Sequence, residues 1–442
     1  MTDPVFATRH RSALLFLVMA VLLALVGMIQ SWNVAFTLLN LCLISAIMTL
    51  GVNIQWGYAG LVNFGMMGFT ALGGLAGVLV AMPPVREAVA AGGAGILLAL
   101  ITAIITILAS VFTWRRLGGA GRRQIWGTAL VLLAGLVFFR LILDPAVEAI
   151  EAVEPAKTGY LGGLGLPILI SWIAGALMAA AVAWVIGKIS LGLRSDYLAI
   201  ATLGISEIII YVLKNEDWLA RGVKNVNGLP RPVPYEVDLQ AAPWLISLSE
   251  RFDISVIDAS SLIVKISYAA FFVVVLAVLY RLAEVALDSP WGRMMRAIRD
   301  NEVSANAMGK NVTSRHLEVF VIGSGIVGLA GAMLTTLDGQ FTPASYQPLR
   351  FTFLIWVMVI VGGSGNNAGS ILGGFLIWFF WIEAEPIGLW AIAALTAGMA
   401  EDSWLKAHLI ENASHTRHMT MGLVLILVLR FAPRGLIPEK KR

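Results

Sequence analysis

The sequence predicts an all-α, polytopic helical membrane protein with about ten to twelve transmembrane segments, some of them interrupted by glycine. Of its 442 residues 58% are hydrophobic and only 13% charged, and the mean hydropathy is +0.83. That is more apolar side chain than a soluble core of this length uses. Long apolar runs recur along the whole chain, and the loops between them alternate between basic and acidic. The net charge of +4 resides largely in such loops, where Lys and Arg set topology, and is not a nucleic-acid footprint. Cys42 is the single cysteine and lies inside an apolar run, which excludes an internal disulfide and a multi-cysteine metal site.

Taken in order, Arg9, His10 and Arg11 precede an apolar run over residues 12–29 that lacks a small-residue cleavage site, so it reads as a retained span and not a signal peptide. A second span covers 34–52. Residues 53–77, NIQWGYAGLVNFGMMGFTALGGLAG, are then dense in glycine. Such density either lets helices pack closely or breaks a helix and exposes backbone to a cavity, and both readings stand. Further spans are expected over 95–112, 125–143 and 167–187. Arg115, Arg116, Arg122 and Arg123 make the first intervening loop basic; Asp144, Glu148, Glu151 and Glu154 make the next acidic. This fits an inside loop followed by an outside one. The segment RSDYLAIATLGISEIIIYVL crosses again and carries Glu207. An ionisable group in mid-span costs about 2.5–3.5 kcal/mol, so it is either functional or bonded to a neighbouring helix. Lys265 and Arg430 lie near span ends, where snorkelling explains them.

Residues 214–258 are too polar to span and form an external loop, with a short surface helix over 244–251. A span over 259–280 leads to a basic cytoplasmic stretch within 281–315, and 317–337 leads out. In that stretch Ser289 caps a first helix with Pro290 at its first position, Asn301 caps a second with Glu302 in its first turn, and Gly309 stops it. A helix of about seven residues does not hold itself in water. It either docks on a partner through Val303, Ala307 and Met308, or the stretch is a solvated topological loop. Residues 351–381 hold GGSGNNAGS between flanks of about a dozen apolar residues, each short of the roughly 20 that span a bilayer. A tight cytoplasmic hairpin and a broken pathway-lining helix are the two readings. A last span over 419–431 leaves both termini cytoplasmic.

Catalytic motifs are absent. GGSGNNAGS lacks the lysine of a phosphate-binding loop, and neither HExxH nor GxSxG occurs. His415 and His418, three apart, read as loop residues ahead of a metal pair.

The stretch GRMMRAIRDNEVSANAMGKNV followed by FVIGSGIVGLAGAM resembles the permease subunits of bacterial ABC importers for branched-chain amino acids, the LivM type. So do GLVNFGMMGF, RSDYLAIATLGISEI, VNGLP, VGGSGNNAGSILGGF and FAPRGLIP, in that order between residues 60 and 438. The resemblance implies a single transmembrane permease domain over 1–442 in the bacterial inner membrane, with no reaction and no cofactor of its own. ATP is bound by partner subunits. The implied partners are a second homologous permease, two cytoplasmic ATP-binding subunits and an external substrate-binding protein, together with membrane lipid and no nucleic acid. Arg296, Glu302, Ala305, Met308 and Gly309 fall in the ATPase-coupling loop, and Asn63, Gly65, Glu207, Gly363 and Asn366 are expected along the substrate pathway. The substrate is a branched-chain or other amino acid, with urea or a short amide as the alternative. Residues 93–165 depart from the family pattern as an extra helical hairpin. A secondary transporter remains the reading from another class, with Glu207 as its ion site and the glycine-interrupted segments 57–77 and 362–374 as its binding site. An intramembrane enzyme lacks a nucleophile and base.

Overall fold

Inside lipid every backbone polar group must find a partner within the protein, which leaves helix as the form for each apolar run. The computed structural model describes residues 4–118, 121–155, 157–399 and 403–439 and is built almost wholly of helices. They are α1 (Pro4–Ile29), α2 (Trp32–Val52), α3 (Met66–Ala81), α4 (Arg86–Ala88), α5 (Ala94–Arg116), α6 (Arg122–Glu151), α7 (Ile168–Ser190), α8 (Ser195–Asn215), α9 (Asp217–Ala220), α10 (Glu236–Gln240), α11 (Pro243–Phe252) and α12 (Val256–Asp288). After these come α13 (Pro290–Asp300), α14 (Glu302–Ala307), α15 (Val312–Asp338), α16 (Pro348–Gly362), α17 (Asn367–Leu395), α18 (Trp404–Glu411) and α19 (Thr416–Phe431). Helix α2 continues as a π-helical turn, Asn53–Tyr58, and a second π turn, Val89–Gly93, joins α4 to α5. Among the described residues the one sheet pairs β1 (Val226–Asn227) antiparallel with β2 (Gln340–Phe341), Val226 opposite Phe341.

Among the described residues nine helical segments are long and apolar enough to cross a membrane, and α3 and α16 are shorter apolar helices. The chain is a multi-pass membrane protein. Its centre is the packing of α15 against α2, α3 and α7. Lipid tails are as apolar as leucine, so burial alone does not drive these helices together; close approach and interhelical hydrogen bonds do. Glycine supplies the approach. A Cβ at Gly73 would run into the Gly328 carbonyl, and one at Gly331 into the Thr70 carbonyl. Thr336 supplies polar bonds: its Oγ1 accepts from Trp172 Nε1 at 3.0 Å and its carbonyl from Tyr268 at 3.2 Å. Close packing is therefore the role of the later glycines in 53–77, whereas the earlier ones lie where α2 gives up its α-helical form.

Helices α5 and α6 form a hairpin at the edge of this core. Leu97, Ile104 and Leu108 of α5 and Leu130, Leu133 and Phe138 of α6 are exposed, and a small buried cluster of Ala88, Ile96, Ala146 and Ile150 joins α4, α5 and α6, with Leu161 and Trp218 packed against it. Around GGSGNNAGS the structure has a hairpin, with α16 and α17 packed on each other and a turn at residues 363–366. The expectation of two short flanks is corrected on one side. Helix α17 is 29 residues long because it runs on past the apolar stretch through Glu383, Glu385 and Pro386. Those polar residues are accommodated in place: Gln30 Nε2 donates to the buried Glu383 at 2.7 Å, and Arg417 of α19 pairs with Glu385 at 2.8 Å.

Candidate functional site

The end of α2 sets the site. The π turn that continues it carries Asn53 and Gln55, fully buried polar side chains that must be bonded or cost about 1–3 kcal/mol each. Their partners lie on other elements, and the chain widens into the π turn before Gly60, at φ +70°, turns it away from the helix. Gln55 Nε2 donates to the Phe320 carbonyl at 3.0 Å and to Ser324 at 3.1 Å on α15. Its Oε1 accepts from Asn63 Nδ2 at 3.0 Å, and Asn63 Oδ1 accepts from the Gly65 amide at 2.8 Å. Helix α8 then caps the start of α3: Thr202 accepts from the Phe64 amide at 3.0 Å and Ser206 from the Gly68 amide at 2.8 Å.

A second knot joins this break to α12 and the α16–α17 turn. Asn53 Oδ1 accepts from the Gly365 amide at 2.8 Å, and its Nδ2 donates to Asn367 Oδ1 at 3.1 Å. The Tyr58 hydroxyl donates to the same Asn367 oxygen, while Asn367 Nδ2 donates to Glu284 at 2.8 Å. Arg299, at the end of α13, completes the connection. It donates to the Gly57 carbonyl within the π turn and pairs with Glu439 of the C-terminal tail at 3.0 Å. The tail in turn lies along the α16–α17 turn: the Leu436 and Ile437 amides donate to the carbonyls of Val361 at 2.8 Å and Gly362 at 2.9 Å, and Asn366 donates to the Pro438 carbonyl at 3.0 Å. Gly363, at φ +119°, must be glycine here, since a Cβ would also strike the Ile437 carbonyl.

Helices α13 and α14 follow the capping chemistry in the sequence. Ser289 accepts from the Gly292 amide, Asn301 accepts from the Ser304 amide at 2.9 Å, and Gly309 ends α14 at φ +79°. Met295 and Ile298 bury α13 against the bundle, whereas α14 leaves Val303 and Met308 each 80% exposed. On a helix of six residues these two apolar side chains stand open, and α14 is held by its cap and by Ala305.

The residues singled out from the sequence fall in three places. Arg296 is half-buried and reaches the Leu287 carbonyl at 3.4 Å, bracing the start of α13; Glu302, Met308 and Gly309 are exposed. Ala305 is only 8% exposed and packs against its own chain. Asn63 and Gly65 are buried in the Gln55 network, and Gly363 and Asn366 lie under the tail. Glu207 stands apart from these. Ser206 points into the bundle, and the next residue, Glu207, is exposed on the outer face of α8 with Ile200, Ile208 and Tyr211. Gly204 on the same stripe has nothing within 4 Å of a would-be Cβ, leaving a dip beside the carboxylate. The glycine-interrupted segments that an ion-coupled transporter would use as a binding site are filled by the chain's own groups. Among the described residues no cluster of three His, Cys, Asp or Glu could hold a metal, and His418 instead packs edge-on against Trp381. Sequence reasoning missed Gln55, Glu284, Arg299, Asn367 and Glu439. The buried polar residues inside an apolar context, Gln55 above all, were the available signal.

Residues 126–429 match the family model described as branched-chain amino acid transport system / permease component. The chain is similar to the high-affinity branched-chain amino acid transport system permease protein LivM of Escherichia coli K12, at 26% identity over 320 residues, covering 71% of this chain and 67% of that one. It is 26% identical over 398 residues to the probable branched-chain amino acid transport permease protein LivM of Methanocaldococcus jannaschii, covering 89% and 90%. With the permease LivH of Salmonella typhimurium LT2 it shares 24% over 213 residues, covering 48% of this chain and 63% of that one. No solved structure matches the chain significantly.

Proposed function

The chain belongs to the branched-chain amino acid transport permease family, and from that premise we propose that it is one of two membrane subunits of an ATP-driven importer of branched-chain amino acids. The second permease is a LivH-like relative. Two cytoplasmic ATP-binding subunits hydrolyse ATP and dock at α13 and α14; a soluble binding protein delivers substrate at the opposite end, and the membrane is the bacterial inner membrane with both termini inside. The observation that carries this reading is the wiring of the docking element. Arg299 of α13 holds the Gly57 carbonyl in the break of α2 and the tail that straps the α16–α17 turn. A displacement of α13 by a partner therefore pulls on the break of α2 and on the α16–α17 turn.

The pathway lies along the outer face of α8, between the two permeases. Glu207 supports this, because a carboxylate facing lipid in mid-span is costly, whereas one facing a partner or a wet cavity is not. There it attracts the ammonium group of a zwitterionic solute, and the dip at Gly204 leaves room for it. The test is uptake of labelled leucine by the assembled complex in vesicles, with and without ATP on the side of α13. Uptake should require ATP, and Glu207→Gln should reduce it at least several-fold while leaving assembly and thermal midpoint unchanged. ATP-independent uptake, or full uptake by the assembled variant, would overturn the proposal or the role of Glu207 respectively.

A further inference from the structure

At the bundle end opposite α13 and α14, a groove of about 420 Å³ opens between α16, α17 and α19. Phe353 and Val357 of α16 face Met421 and Leu425 of α19 across it, so its walls are apolar and follow the helix axes for about two turns into the membrane span. Gly422 keeps it open. Its mouth is basic. The Trp381 ring carries Arg350 at 4.9 Å, Arg417 at 5.2 Å and His418 at 5.5 Å. Arg417 has an acid, Glu385 at 2.8 Å. Arg350 is exposed and among the described residues meets only aromatic faces, Trp381 and Phe351.

We propose that this groove is a binding site for one anionic phospholipid, with an acyl chain between α16 and α19 and the phosphate at Arg350. Three features select that occupant. The groove is apolar and runs along the axes of α16 and α19, as an acyl chain between membrane helices does. Its basic end carries an arginine without a carboxylate, placed at the first turn of a membrane helix, where headgroups lie. Trp381 beneath the cation presents the flat amphipathic ring that suits the boundary between headgroup and tail. A soluble anion has no use for the apolar walls, and a neutral lipid has none for Arg350. The proposal rests on the chain being a membrane protein and is independent of what it transports.

The experiment uses the full chain, purified in mild detergent with its accompanying subunits and reconstituted in phosphatidylcholine vesicles. Trace phosphatidylglycerol or phosphatidylcholine with the same photoreactive acyl chain is added, and labelled peptides are mapped by mass spectrometry. Phosphatidylglycerol should label α16 and α19 around Phe353 and Met421 about five-fold more than phosphatidylcholine, the factor one basic side chain gives near a membrane surface. Arg350→Ala should bring labelling to the phosphatidylcholine level, and Arg350→Lys should keep it. Leu425→Trp, which fills the groove and leaves the charge, should abolish it. Equal labelling by the two lipids, unchanged labelling in Arg350→Ala, or labelling removed by excess inorganic phosphate would overturn the proposal. So would a groove that is unlabelled in the wild type and cross-links to a second permease.

Discussion

Arg299 is one of five cations between Arg293 and Arg315, and nothing in the local sequence sets it apart from its neighbours as a determinant of topology. Its distinction is tertiary. It bonds to residue 57 on one side and residue 439 on the other, so the signal is spread over nearly the whole chain. Arg293, by contrast, donates to the nearby Asp288 carbonyl at 3.0 Å. Arg299 and Glu439 are 24% and 30% exposed in their side chains, so the ion pair itself contributes no more than about 1 kcal/mol. The bond to the Gly57 carbonyl, made by a charged donor, adds about 1.5–3 kcal/mol. Arg299→Ala should therefore lower the thermal midpoint measurably and reduce uptake several-fold, whereas Arg293→Ala should change neither by much. Equal effects in a paired thermal and uptake assay would reduce Arg299 to a topology arginine. Glu383 carries the same lesson, since a carboxylate 2% exposed inside a membrane helix is intelligible only once Gln30, 353 residues away, is seen to donate to it.

At the scale of the element, the sequence was most readable where the chemistry is local. The caps of α13 and α14 involve residues three apart, and Ser289, Pro290, Asn301 and Gly309 occupy the positions their side chains dictate. The length of α17 was not readable, because an apolar-run criterion stops at Glu383 while the helix continues wherever its polar residues find partners. The burial of α14 was not readable, because Val303 and Met308 stand open while the placement of Ala305 depends on how α14 leans on α15. These two sets should part under mutation. Val303→Ser with Met308→Ser should leave the thermal midpoint of the chain within a degree or so and reduce retention of ATP-binding subunits, because surface substitutions alter stability by about 0.5 kcal/mol or less. Ala305→Glu should lower stability first, since it overpacks a buried position at about 1–3 kcal/mol. Retention measured beside thermal midpoint separates them, and loss of both in the Val303/Met308 pair would mean that α14 serves only its own chain.

For the whole molecule, composition and hydropathy are additive over residues, so the all-helical multi-pass fold was legible from them. That Glu207 and the glycine breaks belong to different surfaces was not, because which face of a span turns inward depends on its neighbours: Glu207 faces outward from α8, and Asn63 and Gly65 are sealed within the chain. The central claim is that the end bearing α13 and α14 receives ATP-binding subunits. It is tested most directly by placing a single cysteine at Ser304, in a Cys42→Ser background, and cross-linking in intact cells. The account predicts a covalent adduct between Ser304→Cys and an ATP-binding subunit, with no labelling of that site by impermeant reagents applied from outside; labelling from outside, or the absence of any such adduct while uptake proceeds, would contradict it.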